Sequence, residues 1–240
     1  MKWLALILGF FCLQAFSQEA SETRELIGHV GGRAALLQLY ASPQADGSAR
    51  LTGEYLVLPT MQRRFLEGER SPQLGVTFLK EGNTPILYGR PPIATLQGTW
   101  SGGTFKGGRY GPGGQQREQF EFSETFPAMD AYSANLRCEV EEGRYASTLA
   151  LAVEGGKLKS LDWRSKVGDQ TCAVQGLEQR PHDGGLRFAA GRCSVTLRDL
   201  GEVVRVTAED CAAMCGPQAY LEPLFVDRRG SCQLIRPAQR

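Results

Sequence analysis

Most of the chain consists of short runs in which hydrophobic and polar residues alternate. Between residues 25 and 124 such runs recur with Gly and Pro between them, and one of them carries Leu51, Gly53, Tyr55 and Val57 at every second position. A period of two places successive side chains on opposite faces of a strand and is typical of strands that bury one face. The pattern therefore predicts an all-β fold that begins with an antiparallel meander.

The alternation resumes after Leu136. Glycine pairs at 155–156 and 184–185 favour the tight turns that join antiparallel strands. A short helix is predicted only at 210–215, with Asp210 as its candidate N-cap. We expect the second half to form another antiparallel sheet or barrel, with this one short helix.

A segment without clear periodicity separates the two halves. Residues 125–134 contain Pro127 and no alternating pattern, which is typical of a linker. The chain of 240 residues is long enough for two domains of roughly 100 residues each. We therefore predict an N-terminal β-meander domain over 18–130 and a C-terminal β domain over 131–240.

A small motif, Leu-x-Gly, recurs in the first half and is followed twice by an aromatic residue, at Tyr55 and Trp100. In a strand the leucine, the glycine and the aromatic residue share one face, so that the glycine leaves room for a ring from a neighbouring strand. This interpretation makes the motif a packing unit of a twisted sheet. The alternative is that Tyr55 and Trp100 stack on carbohydrate.

The N-terminus has the pattern of an export signal. Lys2 is followed by an apolar stretch and by a small-x-small cleavage site that ends at Ser17, which predicts a signal peptide over 1–17. Its removal takes Cys12 with it and leaves a periplasmic protein. A lipid anchor on Cys12 is the alternative, but the residues before Cys12 lack the small side chains expected there.

Six cysteines remain in the exported chain, and an even number in an oxidising compartment favours disulfides. Strand positions favour a Cys172–Cys193 pair, with Cys232 bonded to Cys211 or Cys215 and Cys138 bonded to the other of those two. Pairing of Cys211 with Cys215, or a metal or redox site at these two residues, are the alternatives. The expected disulfide cysteines are Cys138, Cys172, Cys193, Cys211, Cys215 and Cys232.

Charge and motifs argue against several functions. The chain has 27 basic and 26 acidic residues, so that no excess of positive charge favours a nucleic-acid partner. Only two histidines occur, and no pattern typical of a hydrolase, a phosphate loop or a metal site is present. We therefore predict a protein that is not an enzyme and that binds no cofactor and no metal.

Recognition by loops on a rigid frame is the remaining interpretation. Residues 101–116 include seven glycines, which favours an irregular segment. Aromatic and arginine side chains commonly dominate the energy of interfaces. Turns at 180–183 and 217–230 are weaker candidates for the same role. The predicted partner-binding residues are Phe105, Lys106, Arg109 and Tyr110 in the glycine-rich segment, and Arg63 and Arg64 in an earlier turn.

Two short patterns carry a resemblance to a known class of proteins. The Cys138-Glu-Val-x-x-Gly143 start and the Cys211-x-x-x-Cys215-Gly216 close of the second half resemble the periplasmic lysozyme inhibitors of Gram-negative bacteria. The layout in two halves is similar to periplasmic immunity proteins that neutralise delivered toxins, lipases among them. The resemblance implies a protein partner and a loop that plugs its active site.

These observations together predict a periplasmic binding protein that blocks an envelope-attacking hydrolase, either a lysozyme-type muramidase or a secreted lipase or phospholipase toxin. In this hypothesis Lys106 or Arg109 pairs with an acidic catalytic residue of the target. A glycan- or envelope-binding module that uses Tyr55, Trp100 and Tyr110 is the first alternative. An unrecognised hydrolase is the second.

Overall fold

The computed structural model describes residues 22–58, 60–71, 73–85, 90–182 and 184–234. The predicted signal peptide and Cys12 lie outside this part of the chain. The described residues form eighteen strands and one short 3-10 helix, which confirms the all-β prediction. Within these ranges no helix has the length and apolar character that crossing a bilayer requires.

The first eight strands form a closed antiparallel barrel in which each strand pairs with the next one along the chain. The barrel closes where β1 pairs with β8 over four residue pairs, from Ile27–Ser123 to Val30–Phe120. The strands are β1 (Glu22–Val30), β2 (Arg33–Pro43), β3 (Ala49–Val57), β4 (Gln62–Ser71), β5 (Val76–Gly82), β6 (Ala94–Ser101), β7 (Thr104–Tyr110) and β8 (Gln116–Ser123).

Large apolar side chains fill the middle of the barrel, where Phe105, Phe120 and Phe122 are almost completely buried. Gly98 explains how three rings fit: a Cβ atom added there would lie 2.7 Å from the Phe120 ring and 2.9 Å from the Phe105 ring. The Leu-x-Gly motif that ends at Trp100 is therefore a packing unit, in which the glycine makes space for rings from neighbouring strands.

The remaining ten strands form two antiparallel sheets that pack face to face. Both sheets are meanders in which neighbours in sequence are neighbours in the sheet. The four-stranded sheet contains β9 (Ala134–Glu142), β10 (Tyr145–Glu154), β11 (Lys157–Val167) and β12 (Gln170–Val174), and the six-stranded sheet contains β13 (Glu178–Arg180), β14 (Leu186–Ala190), β15 (Cys193–Asp199), β16 (Val203–Glu209), β17 (Leu224–Asp227) and β18 (Cys232–Leu234).

An apolar core lies between these two sheets and makes them a sandwich. Trp163 of β11, Phe188 of β14 and Val195 of β15 are fully buried in it. The indole N–H of Trp163 donates a hydrogen bond of 3.0 Å to the Ser147 hydroxyl. The only polar group of the buried ring therefore has a hydrogen-bond partner. The boundary predicted near residue 131 falls in the segment 124–133 that joins barrel and sandwich.

The six cysteines among the described residues are all paired, but the pairs differ from the expected ones. The disulfides join Cys138 to Cys232, Cys172 to Cys215, and Cys193 to Cys211. The expected Cys172–Cys193 pair was wrong because the chain changes sheets between these residues: β12 belongs to the four-stranded sheet and β15 to the six-stranded one.

The predicted helix at 210–215 is a 3-10 helix over Cys211–Met214. Asp210 occupies the N-cap position with a left-handed backbone, yet its side chain donates or accepts no capping hydrogen bond. Two disulfides hold this helix, one through Cys211 to β15 and one, just beyond it, through Cys215 to β12. The helix therefore bridges the two sheets covalently.

The barrel packs with its outer wall against the outer face of the six-stranded sheet. Leu36 and Leu56 of the barrel contact a buried apolar cluster that includes Phe126, Val203 and Phe225. Beside this cluster the Glu25 carboxylate of β1 accepts hydrogen bonds from two arginines of the sheet, Arg198 and Arg205. Apolar contact and a shared carboxylate thus hold the two units together.

Gly98→Ala will destabilise the protein by about 1 to 3 kcal/mol, because the new methyl group meets two aromatic rings and the Lys106 carbonyl oxygen in a core without spare volume. Urea unfolding measures the change. Gly113→Ala is the matched control, since nothing lies within 4 Å of a Cβ atom at that position. Equal stability of the two variants would contradict the packing account.

Removal of the Cys138–Cys232 disulfide will cost more stability than removal of Cys193–Cys211. The first bond spans 94 residues and the second 18, so that loop entropy predicts losses of about 4.5 and about 3 kcal/mol. Unfolding in urea of the two double Cys→Ala variants, both oxidised, measures the difference. The reverse order of stabilities would show that loop entropy does not govern these bonds.

Candidate functional site

Four connections lie at the same end of the barrel. They join β1 to β2, β3 to β4, β5 to β6 and β7 to β8, and we call this end the arginine end because of the side chains described next. The connection between β5 and β6, over residues 83–93, is the longest of the four. The remaining hairpin turns, those after β2, β4 and β6, lie at the opposite end.

A buried glutamate organises the arginine end. Glu81, one residue before the end of β5, is fully buried inside the barrel. The Arg109 guanidinium of β7 donates two parallel hydrogen bonds to it, of 2.7 Å from Nε and 2.9 Å from Nη2. Its third nitrogen donates to Glu118 of β8 over 3.0 Å. Arg109 is therefore held at three points, and its geometry is fixed.

Three further arginines surround this pair. Arg64 of β4 places its Nε 3.4 Å from the Glu81 carboxylate and donates to Asn83 over 2.6 Å. Arg33 forms an ion pair of 3.0 Å with Glu118. The Arg117 guanidinium lies directly over the backbone of Gly111, in the turn between β7 and β8. We call these four side chains the arginine rim: Arg33, Arg64, Arg109 and Arg117.

The surroundings of Arg109 and Tyr55 fix the protonation states of both side chains. Its hydrogen bonds to Glu81 raise the pKa of Arg109 well above the ordinary value. Burial raises the pKa of Tyr55, whose ring lies beneath the cluster, and the charge of Glu81 adds to this shift. Arg109 is therefore always charged and Tyr55 always neutral at physiological pH.

Exposure separates the rim into two kinds of side chain. Arg109 and Arg64 are mostly buried and hold the barrel end together, whereas the Arg33 side chain is 52% exposed and Arg117 is also exposed. The rim contains four arginines, and the glutamates that pair with them are Glu81 and Glu118. Two positive charges of the rim are therefore not balanced by these glutamates. A guanidinium presents parallel donors that match a carboxylate, so the rim is suited to bind an acidic group of a partner.

The structure divides the predicted partner-binding residues. Residues 101–116 do not form a loop: they form β7 and its two flanking turns. Phe105 is completely buried, with ring centroids of Trp100 and Phe120 at 4.9 and 4.8 Å. Lys106 is exposed on the outer wall of β7, where it lies opposite Glu121 of β8. These two residues therefore do not share a surface with the rim.

Of the other four predicted residues, Arg64 and Arg109 meet at the arginine end, whereas Arg63 and Tyr110 lie near that end with other partners. Arg64 and Arg109, 45 positions apart in the sequence, both contact Glu81. Arg63 points to the outside of the barrel, where its Nε lies 3.4 Å from Glu54, and Tyr110 donates a weak hydrogen bond of 3.5 Å to Gln116. Nothing in the local sequence around Glu81, Glu118, Arg33 or Arg117 identified them, because they come from three strands, β2, β5 and β8, that are far apart in the sequence.

Two of the three aromatic residues of the glycan hypothesis, Tyr55 and Trp100, lie inside the barrel. Tyr55 is 2% exposed and contributes to the barrel core. Trp100 stacks on Phe105 and donates a hydrogen bond of 3.2 Å from its indole nitrogen to Thr77. Neither ring offers an open face of the kind that sugar stacking requires, which corrects the expectation for these two residues.

The two weaker candidate turns lie on the sandwich. His182 lines a cavity between barrel and sandwich. Tyr220 is 45% exposed and stacks on Tyr145 with a centroid distance of 5.7 Å. Across the described ranges no group of three or more His, Cys, Asp or Glu side chains is placed to hold a metal ion.

We compared the chain with protein-family models, with curated proteins and with solved structures, and none of them matched. The resemblance to lysozyme inhibitors and immunity proteins therefore stays a prediction from two short patterns. The geometry of the arginine end is the firmer basis for a function.

Glu81→Gln will destabilise the barrel by about 3 to 5 kcal/mol, because Arg109 keeps its charge in a buried site that has lost its bidentate partner. Urea unfolding followed by fluorescence measures this, since Trp100 reports on the barrel and Trp163 on the sandwich. Glu67→Gln is the matched control: Glu67 pairs with the exposed Arg50, and its loss will cost less than about 1 kcal/mol. A small effect of Glu81→Gln would show that the cluster does not fix the rim.

Proposed function

We propose that this protein is an exported binding protein that blocks the active-site cleft of an envelope-attacking hydrolase with the arginine end of its barrel. The observation that carries the proposal is the arginine rim, where a buried Glu81 holds two arginines rigid and leaves Arg33 and Arg117 exposed. A rigid group of positive charges complements a cleft that contains catalytic carboxylates.

Three disulfides support the exported location, because such bonds persist in oxidising compartments outside the cytoplasm. The predicted signal peptide over 1–17 makes the periplasm of a Gram-negative bacterium the proposed location. A hydrolase that attacks the envelope meets the protein in this compartment. The proposed partner is therefore a protein rather than a nucleic acid.

The class of hydrolase follows from the charge of the rim. Glycoside hydrolases use a pair of carboxyl groups that flank the bond to be cut, so an arginine bound to one of them stops catalysis and excludes the substrate. Lipases depend on a nucleophilic serine in an apolar site, which a cluster of arginines matches poorly. Of the two predicted targets, a lysozyme-type muramidase is the one that the arginine end favours.

The roles of the four arginines differ in this mechanism. Arg33 and Arg117 are exposed and donate hydrogen bonds to the carboxylates of the target. Arg64 and Arg109 stay bound to Glu81 and add positive potential at the same end of the barrel. Because Glu81 already holds Arg64 and Arg109, binding orders only the side chains of Arg33 and Arg117, which limits the loss of conformational entropy. This replaces the earlier hypothesis of a flexible glycine-rich loop that carries Lys106 into the cleft.

The double variant Arg33→Ala/Arg117→Ala will weaken inhibition of a target muramidase by about 10- to 100-fold, because both exposed donors are lost while the Glu81 pairs remain. The assay measures hydrolysis of peptidoglycan by purified lysozyme-type muramidases in the presence of the mature, oxidised protein. Raising the salt concentration will also weaken inhibition, since the attraction is between charges.

Arg50→Ala/Arg70→Ala is the matched control at the opposite end of the barrel. Arg50 resembles Arg33 in exposure and in having one carboxylate partner, and it is 56% exposed in its pair with Glu67. This variant will inhibit like the unmodified protein. Equal inhibition by both double variants would contradict the role of the arginine end. Sedimentation with purified cell-wall material, without inhibition of any muramidase, would favour the glycan-binding alternative instead.

A further inference from the structure

A second group of arginines surrounds a cavity of about 190 Å³ between the barrel and the sandwich. Most of its walls come from the outer face of the six-stranded sheet. The barrel contributes Glu25, and the turn before β14 contributes His182. Glu209, which is exposed, also lines the cavity. The side chains from the sheet that argue for binding are Arg187, Thr196, Arg198, Arg205 and Thr207.

Strand register explains why these side chains converge. Arg187 of β14 lies opposite Thr196 of β15, which in turn lies opposite Thr207 of β16. Two residues further along the strands, Arg198 lies opposite Arg205. Residues opposite each other on neighbouring strands share one face of the sheet. The outer face of this sheet therefore carries a compact patch of guanidinium and hydroxyl donors.

The carboxylates around the cavity do not balance its arginines. Arg198 and Arg205 share the single Glu25 carboxylate. The Nη2 of Arg187 donates to a neutral partner, the Ser194 hydroxyl, over 3.1 Å. Glu209 is the other acidic residue that lines the cavity, so three arginines face two carboxylates. One positive charge remains to be compensated.

Two hydrogen-bond donors in this patch are also unused. The Nε atoms of Arg198 and Arg205 are buried, and no acceptor for either exists among the residues that the structure describes. Burial lowers the pKa of Arg205 to about 10, because a desolvated guanidinium charge is costly. Buried donors without acceptors are rare in proteins, and these two leave both guanidinium groups incompletely satisfied beside the cavity.

A neighbouring cavity provides a contrast. It has a volume of about 510 Å³, shares Glu25 and Arg198 with the first, and is lined by two further glutamates, Glu22 and Glu124. Its arginines are Arg24 and Arg198, so carboxylates outnumber guanidinium groups there. Of these two cavities, only the smaller one therefore has more guanidinium groups than carboxylates.

We propose that the smaller cavity is a binding site for a small oxyanion, a phosphate or carboxylate group carried by a low-molecular-weight ligand. Arg187 and the Arg198–Arg205 pair supply the charge, and the Thr196 and Thr207 hydroxyls supply neutral donors. The volume equals that of about six water molecules at roughly 30 Å³ each, which fits a phosphate with a short substituent. Because Glu25 comes from the barrel, the site is complete only when barrel and sandwich are docked.

Titration calorimetry at low ionic strength tests the proposal with two probes, inorganic phosphate and succinate, against sodium chloride of equal ionic strength. We expect saturable binding of one or both probes at a single site, and none of chloride. Binding of phosphate alone assigns the phosphate class of ligand, and binding of succinate alone assigns the carboxylate class. Absence of saturable binding by both probes would overturn the proposal.

Arg187→Gln will weaken binding of the probe at least about tenfold, because it removes a charged donor that no carboxylate neutralises. This residue takes no part in the Glu25 contact, so the variant keeps the interface between the two units. Arg164→Gln is the matched control on β11 of the four-stranded sheet, where the exposed arginine pairs with Asp162. The thermal unfolding midpoint without ligand verifies that both variants fold. Unchanged affinity in Arg187→Gln would place the probe elsewhere.

Discussion

Closure of the barrel is the constraint on which the rest of the structure depends. The seam between β1 and β8 spans only four residue pairs, and it passes Gly28, where an added Cβ atom would lie 1.9 Å from the Glu121 carbonyl oxygen. The two strands can approach this closely only because that side chain is missing. Once the seam is closed, the inward side chains of eight strands must share one interior. Rings occupy its middle, and the Glu81 cluster occupies one end.

The short seam also determines how the second unit attaches. Pairing with β8 ends at Ile27, so the first residues of β1 extend past the point where the chain leaves the barrel toward the sandwich. Arg24 spans this gap through a hydrogen bond to Glu124, and Glu25 projects outward to the two arginines of the six-stranded sheet. One strand therefore closes the barrel and anchors the sandwich. The adjacent strand β2 and the next strand, β3, supply the apolar contact beside it.

Local pattern predicted the elements but not the way they come together. Alternation identified an all-β chain, and the Leu-x-Gly motif identified a glycine that makes room for rings. The high glycine content of residues 101–116 led to the wrong prediction of an irregular loop. Gly107 in fact lies on β7, directly opposite Gly98 within the packed interior. Disulfide pairing failed where the chain changes sheets. Arg109 was recognised as important but assigned to a loop, since its partners Glu81 and Glu118 lie on other strands and only barrel closure brings them near.

The disulfide between β9 and β18 gives the two halves different covalent topologies. Cys138 and Cys232 lie on the first and last strands of the sandwich, so that the chain between them is a closed covalent ring. A single proteolytic cut anywhere within that ring leaves one molecule, whose pieces stay linked until the bond is reduced. The described part of the barrel contains no cysteine, and a cut in the segment 124–133 separates it completely from the sandwich except for the contacts at Glu25 and its apolar neighbours. Mechanical load applied to the two ends of the chain would likewise extend the barrel fully, while the ring transmits the force through its disulfide.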